Sequence, residues 1–322
     1  MRLSGNAGFI GIVALALSAG LLLGLAGGAN ASPVPGGSGA TVYSVPAAAQ
    51  GAARSFWTLS GMRAATAAST ERQEQQLGPV FSTAPAMSLF SAGARSGAPR
   101  GIPSPVSFPG VPTVGALFYT ASSSRHFCTA SVIKSSTGNL VLTAAHCVYS
   151  GGYSQNLVFV PGYDNGGAPY GAWTVKKIIV ARGWRQRQDP DLDYAYLEVV
   201  PPPHSVGPIQ AVTGGLGVGF TLRDAHAITV IGYNNTDQQP IRCATKSFKF
   251  SDSQMEFYCH GFWYGTSGGP WIIGYGGGSG SGTVFGVIGG YQAGGAQSWA
   301  SYSAIFWRTA PALFRQAEAA AA

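Results

Sequence analysis

The chain predicts an all-β protein, and three observations carry that expectation. From Val111 onward it consists of short β-branched and aromatic runs, each closed by Gly, Pro, Asn or Ser, the texture of a sandwich or barrel. The runs fall into two groups of six, divided at 200–226 by a stretch opening Val200-Pro201-Pro202-Pro203, where proline removes the ladder donors that a strand needs. The four cysteines all lie after residue 127, and of the three pairings that four cysteines allow, Cys128 with Cys147 and Cys243 with Cys259 are the local ones.

In chain order, the first group predicts strands at 112–120, 127–133, 139–144, 157–160, 172–180 and 194–199. The second predicts 227–233, 241–250, 255–259, 270–273, 283–291 and 299–305. The Gly/Ser run at 276–282 is a flexible connection between two of the last strands and carries no chemistry. Beyond them, Ala310-Pro311-Ala312-Leu313-Phe314 predicts a terminal helix, with Thr309 as N-cap and Pro311 tolerated in the first turn.

Residues 1–31 read as a signal peptide: Met1-Arg2, an apolar run at 9–26, and Ala29-Asn30-Ala31 before Ser32. The run approaches the roughly 20 residues of a membrane span. An uncleaved anchor is therefore the competing outcome and the only one that implies membrane contact; the glycines and the Ala-Asn-Ala site favour cleavage and a secreted, extracellular protein. Residues 32–108 are rich in Ala, Ser, Gly and Pro without sustained apolar periodicity, so they cannot bury a core of their own and read as a propeptide or disordered leader. Within it Phe56-Trp57, Met87 and Leu89-Phe90 are scattered apolar anchors, suited either to docking or to riding on a mobile linker. That leaves 109–322 as the folded domain. In an exported chain an even cysteine count reads as disulfides rather than metal ligands.

Net charge is +7, but the first 100 residues hold six Lys and Arg against two acids, giving +4, and the remainder 13 against 10, giving +3. That is too weak to argue for a nucleic-acid partner. Lys176, Lys177, Arg182, Arg185 and Arg187 form a local basic cluster, read as a solvated face with anionic polymers as the alternative partner.

Three motifs carry the chemistry: Leu142-Thr143-Ala144-Ala145-His146-Cys147, Asp191-Leu192-Asp193-Tyr194-Ala195 and Gly265-Thr266-Ser267-Gly268-Gly269-Pro270. A Ser hydroxyl needs a base to take its proton, and an imidazole oriented by a carboxylate is suited to that task. Unrelated folds thread such a trio in different orders. Gly265 to Gly269 also fits G-x-S-x-G, but that arrangement needs an acid and then a His downstream, and no His follows Ser267. The order with Asp first fails as well, since the first Asp of the chain is Asp164, after His146. His, Asp, Ser remains.

On these residues the chain resembles the trypsin-like (chymotrypsin-fold) serine proteases, most closely secreted bacterial members related to the glutamyl-endopeptidase-like enzymes. The likeness runs from about 111 to 314 and includes Phe127-Cys128-Thr129-Ala130-Ser131 and Gly286-Val287-Ile288-Gly289-Gly290. It implies two six-stranded antiparallel β-barrels, with His146 and Asp193 on the first and Ser267 on the second, so that the reacting groups meet in the crevice between them. It further implies a serine endopeptidase acting on a protein or peptide substrate through an acyl-enzyme, as a monomer without metal or cofactor. His146 would be the base, Ser267 the nucleophile, and the N–H groups of Gly265 and Ser267 the oxyanion hole. Asp193 would orient the imidazole, because the family places its acid just before a strand such as Tyr194-Ala195-Tyr196-Leu197; Asp191 is the alternative. The pair Cys128 and Cys147 matches the family's bridge beside the catalytic His.

By the same likeness the substrate pocket is expected near Gly261, Ile288, Gly289, Gly290, Tyr291 and Ala300. None of these is acidic, which disfavours a cationic side chain. Glutamyl-specific relatives often carry a His where Ile288 stands, which disfavours an acidic one unless His260 enters instead; an uncharged pocket for apolar or aromatic groups follows. For His126, His204, His226 and His260 a structural role is the default. One departure stands out: Thr266 occupies the position where enzymes activated by a freed N-terminus carry an Asp, so that salt-bridge switch is absent. A protease-fold binding protein without turnover and an exported esterase are the alternatives to an endopeptidase.

Overall fold

A computed structural model describes residues 39–68, 98–203, 205, 207–221, 225–234, 238–307 and 309–322. The signal-peptide expectation, His204, and the anchors Met87, Leu89 and Phe90 lie outside the described residues.

Six antiparallel strands close the first barrel: β3 (Val114–Ala121), β4 (Ser124–Val132), β5 (Leu140–Thr143), β6 (Gln155–Pro161), β7 (Trp173–Ala181) and β8 (Ala195–Val200). The order is β6-β3-β4-β5-β8-β7, and β7 returns to β6. Strands β3 and β4 pair as far as Ala121 opposite Ser124, around Ser122 and Ser123. Both serines have positive φ, 48° and 67°, the twist that a two-residue hairpin turn requires. The hairpin is therefore longer than the sequence suggests, because serine carries no strong turn signal. Leu117, Phe159 and Trp173 share one face of this sheet and are fully buried, while Phe118, equally buried, points to the opposite face.

The second sheet runs β15-β12-β11-β10-β13-β14, from β10 (Ala227–Tyr233), β11 (Pro240–Lys249), β12 (Gln254–Tyr258), β13 (Pro270–Ile273), β14 (Thr283–Val287) and β15 (Ala300–Ala304). Its ends approach where Gly289 N donates to Tyr302 O at 3.0 Å and Val287 N to Ser303 Oγ at 3.0 Å. Two short strands extend it, β2 (Val106–Ser107) on β11 and β9 (Gly217–Val218) parallel to β14. Val230, Phe257, Trp271 and Phe285 form its separate core.

Four outcomes differ from the sequence reading. The strand expected over 283–291 stops at Val287, because the chain turns at Gly289-Gly290 toward the other barrel. The terminal helix reaches Ala310–Ala321, and Thr309 does not cap it: its hydroxyl is bonded to the Tyr194 phenol instead. The 200–226 break holds a short helix, Ile209–Thr213. Finally, residues 40–65 fold against the first barrel as β1 (Ala40–Ser44), α1 (Ala47–Phe56) and the start of α2 (Leu59–Ala68), burying Ala53, Trp57, Met62 and Ala65. These side chains join the barrel's own buried cluster.

Both local cysteine pairs are disulfides, Cys128–Cys147 and Cys243–Cys259. Among the described residues no helix is long and apolar enough to cross a membrane.

Candidate active site

His146 lies just past β5, in the 3-10 turn Ala145–Cys147. The disulfide ties that turn to β4, and the His146 N–H donates to Asp193 Oδ1 at 2.9 Å. The ring Nδ1 is 2.8 Å from Asp193 Oδ2. Asp193 is fully buried between the 3-10 turn Pro190–Leu192 and β8, and a buried carboxylate persists only when donors replace its water. A third donor comes from the second barrel, the Gly290 N–H at 2.8 Å from Oδ2. With Nδ1–H facing the carboxylate, Nε2 is the acceptor nitrogen; it is buried and has no hydrogen-bond partner among the described residues.

The neighbouring acids are otherwise engaged. Asp191 Oδ1 accepts from Gln254 Nε2 at 2.7 Å, while Asp189 accepts from Asp191 N at 3.1 Å and faces Arg187 at 3.5 Å. They hold the turn that presents Asp193.

Ser267 sits in the 263–269 loop of the second barrel. Gly265 has φ +92°, and a Cβ there would fall 2.2 Å from Phe127 Cε2 and 2.6 Å from Tyr233 O. At Gly268, φ +80°, a Cβ would meet Thr129 O at 2.1 Å. Only glycine satisfies both demands at either position. Three amides of the loop are spent, Thr266 N on Trp263 O and Gly269 N on Thr266 O within it, and Gly268 N on Ile288 O outside it. The amides of Gly265 and Ser267 make no hydrogen bond among the described residues, and neither does the Ser267 hydroxyl.

Thr129, which sequence reasoning passed over, clamps this loop from β4 of the first barrel. Its N–H donates to Ser267 O at 2.7 Å and its hydroxyl to Gly265 O at 2.9 Å. The same hydroxyl accepts from Tyr233 N at 2.8 Å, and Thr129 O accepts from Thr143 Oγ1 at 2.8 Å. Behind it the Tyr233 phenol donates to Tyr163 O at 2.8 Å, and burial holds that phenol well above its ordinary pKa, so it remains a neutral donor. Thr266, at the position of the missing Asp, binds Trp263 O through both N–H and hydroxyl, at 3.1 and 2.7 Å. The loop is thus held by neutral hydrogen bonds.

Beside Ser267 lies a cavity of about 230 Å³ lined by Phe262, Trp263, Tyr264, Thr266, Ile288 and the 292–296 turn. Of the residues expected at the substrate pocket, Ile288 lines it. Gly261, Gly289, Gly290 and Tyr291 do not: Gly289 packs on Asp193, Gly290 binds its carboxylate, Gly261 faces Pro105, and Tyr291 is exposed against Phe250 and Tyr302. They belong to the same stretches of chain but turn away, because the 286–290 motif leaves its strand at Val287. Ala300 is buried in β15, outside the lining. His260 is exposed and outside the lining too. His126 stacks on Tyr119 and His226 contacts Phe285, structural roles as expected. Of the basic cluster, Lys176 and Lys177 share the single carboxylate of Glu198, at 2.6 and 3.0 Å, and Arg187 faces Asp189, so two carboxylates set against five cations leave it net positive.

The trypsin family model matches residues 105–308. Among solved structures, the protease Anisep of Arthrobacter nicotinovorans is 25% identical with a TM-score of 0.59, covering 66% of this chain and 98% of that one. A thermostable serine protease, AL20, from an extremophilic microorganism shares the fold at 23% identity and a TM-score of 0.57, covering 65% and 97%. A Glu endopeptidase shares it at 16% and 0.53, covering 68% and 98%. One curated relative, an "Extracellular metalloprotease" of Bacillus subtilis (strain 168), is 32% identical over 101 residues, 30% of this chain and 31% of its own length. The metal in that name finds no donor set here: among the described residues the single cluster of three candidate ligands is Cys128, His146 and Cys147. Its two sulfurs are bonded to each other, so one imidazole remains.

Proposed function

Because this chain belongs to the trypsin family, a family of serine proteases, we propose that it is a secreted serine endopeptidase working through His146, Asp193 and Ser267 and an acyl-enzyme. Ser267 Oγ attacks the scissile carbonyl carbon while His146 Nε2 takes the hydroxyl proton; the carbonyl oxygen becomes an oxyanion that accepts hydrogen bonds from the Gly265 and Ser267 amides. Collapse of that intermediate breaks the C–N bond, and the imidazolium gives its proton to the departing amine. Water then attacks the acyl carbon, His146 again taking a proton and returning it to Ser267, and the acid product leaves. Asp193 holds the tautomer and stabilises the imidazolium without itself being protonated.

The observation that supports this reading most is a set of groups unpaired among the described residues: an oriented imidazole with Nε2 unpaired, the Ser267 hydroxyl, and the Gly265 and Ser267 amides, in a loop where the amides of Thr266, Gly268 and Gly269 are used. The cavity beside Ser267 is lined by Phe262, Trp263, Tyr264 and Ile288 together with the polar Thr266 and Gln292, and by no charged side chain, which favours an uncharged substrate residue, apolar or aromatic against those rings, since a buried charge would go unpaired there. Secretion is supported by the first 31 residues and by two disulfides, which persist in oxidising compartments.

Digestion of an unfolded protein by the purified chain tests the proposal. The wild type cuts it after apolar residues and Ser267→Ala, with an unchanged circular dichroism spectrum, does not; continued digestion by Ser267→Ala removes the mechanism.

A further inference from the structure

Residues 40–65 precede the matched family region, which begins at 105, yet they are bonded to the first barrel along their length. Strand β1 adds five rungs to β7, from Ala40 opposite Ala181 to Ser44 opposite Lys177, and Tyr43 stacks on Tyr153 with ring centres 4.2 Å apart. Helices α1 and α2 deliver the buried side chains Ala53, Trp57, Met62 and Ala65. The polar contacts are equally specific. Trp57 Nε1 donates to Asn156 O at 2.5 Å, Arg63 Nη2 to Asn165 O at 2.9 Å, and Ala40 N to Gln316 Oε1 of the terminal helix at 2.6 Å. The Arg125 guanidinium lies over the Phe56 ring, 4.9 Å from its centre.

None of the residues lining the cavity at Ser267 belongs to this segment, so its contacts are not those of a plug. They lead instead to the back of the oxyanion loop. Trp57 packs on Phe118 at 5.3 Å, Phe118 on Phe127 at 6.3 Å, and the Phe127 ring closes on Gly265 so tightly that no Cβ fits between them.

We propose that this face of the first barrel is a binding site for residues 40–65, and that the segment is a standing part of the folded protein, held there even when the chain is opened downstream of Ala68. Its occupant is this chain's own strand and helix pair rather than a second protein: the edge of β7 is already paired, and the buried rings leave no room for another. Lost from the barrel, the segment would expose the β7 edge and the Phe118 ring to water.

The test uses the full chain with a site for a sequence-specific protease inserted between Ala68 and Ala98. After cutting, the two pieces are expected to run together on native gel filtration, with the melting temperature and activity of the uncut chain retained. Trp57→Ala in the cut protein should weaken retention on the order of a hundredfold, as loss of a large buried ring does, and Arg63→Ala, an exposed change that spares the core, should weaken it less. Separation of the wild-type pieces on cutting, or a rise in activity as the small piece leaves, would overturn the proposal. Co-elution and melting are read without catalysis, so they stand or fall separately from the protease reading.

Discussion

The two halves of the candidate site are built by opposite means. On the first barrel the orienting bonds are all made: Asp193 takes three hydrogen bonds, one from across the crevice, and Nδ1 of His146 is committed to it, which leaves only Nε2 unpaired among the described residues. On the second barrel the scaffold is bonded and the functional groups are left free, with Gly265 N, Ser267 N and Ser267 Oγ unpaired among the described residues while the amides of Thr266, Gly268 and Gly269 are used. A base must be presented in one tautomer and one direction, which demands bonds. A nucleophile and an oxyanion hole must have capacity to receive what arrives, which demands their absence. Free donors at a fixed place cost nothing in reorganisation when charge develops, and here the fixing is done by Thr129, from the opposite barrel.

That contrast can be broken at graded strengths. Removing an unspent group itself should cost most: Ser267→Ala and His146→Ala are each expected to lower kcat by about a million-fold, comparable to loss of the whole trio, checked by peptide hydrolysis with circular dichroism as the folding control. Asp193→Asn should cost about 10⁴-fold, because the amide favours the wrong tautomer. The same change at Asp191, whose carboxylate serves Gln254, should cost far less, and the opposite ranking would reassign the orienting acid.

Thr129 sharpens the comparison at the next level. Thr129→Val keeps the shape but strands Gly265 O and Tyr233 N, so the loop loosens while the Ser267 and His146 side chains remain. The expected loss is about ten- to a hundredfold in kcat with KM nearly constant, below the ~10²–10³ of losing an oxyanion donor outright. Thr129→Ser should recover most of it, and a loss shared equally by both variants would mark a packing role instead. Smallest is the effect of the second disulfide. Removing Cys243–Cys259, far in sequence from His146, should lower stability by about 3 kcal/mol on the chain-entropy estimate, roughly 10 °C in Tm for a domain of this size, while leaving kcat at lower temperature intact.

How much of this was legible in the sequence follows from what kind of interaction carries each part. Strand positions were legible because alternating and β-branched runs reflect burial directly; β10 and β13 begin and end where the pattern does. The His, Asp and Ser motifs were legible because their order excludes the other arrangements. The Gly290 and Thr129 contacts were not, since a backbone donor or a buried hydroxyl reaching the other barrel leaves no periodic trace, although Thr129 lies inside the Phe127-Cys128-Thr129 motif itself. Of the residues expected at the pocket, Ile288 alone lines the cavity beside Ser267, because where a strand ends decides which residues turn toward it. The leader was read from composition alone; that its residues 40–65 complete another element's core is a tertiary fact invisible to composition.

The most direct measurement of the central claim is labelling with a serine-directed peptidyl phosphonate, followed by peptide mapping by mass spectrometry. Attack on its phosphorus needs the nucleophile, the oriented base and the free amides together. The account predicts a single adduct on Ser267, formed orders of magnitude more slowly in His146→Ala and measurably more slowly in Thr129→Val. An adduct on another residue, or labelling of Ser267 at the same rate without His146, would contradict it.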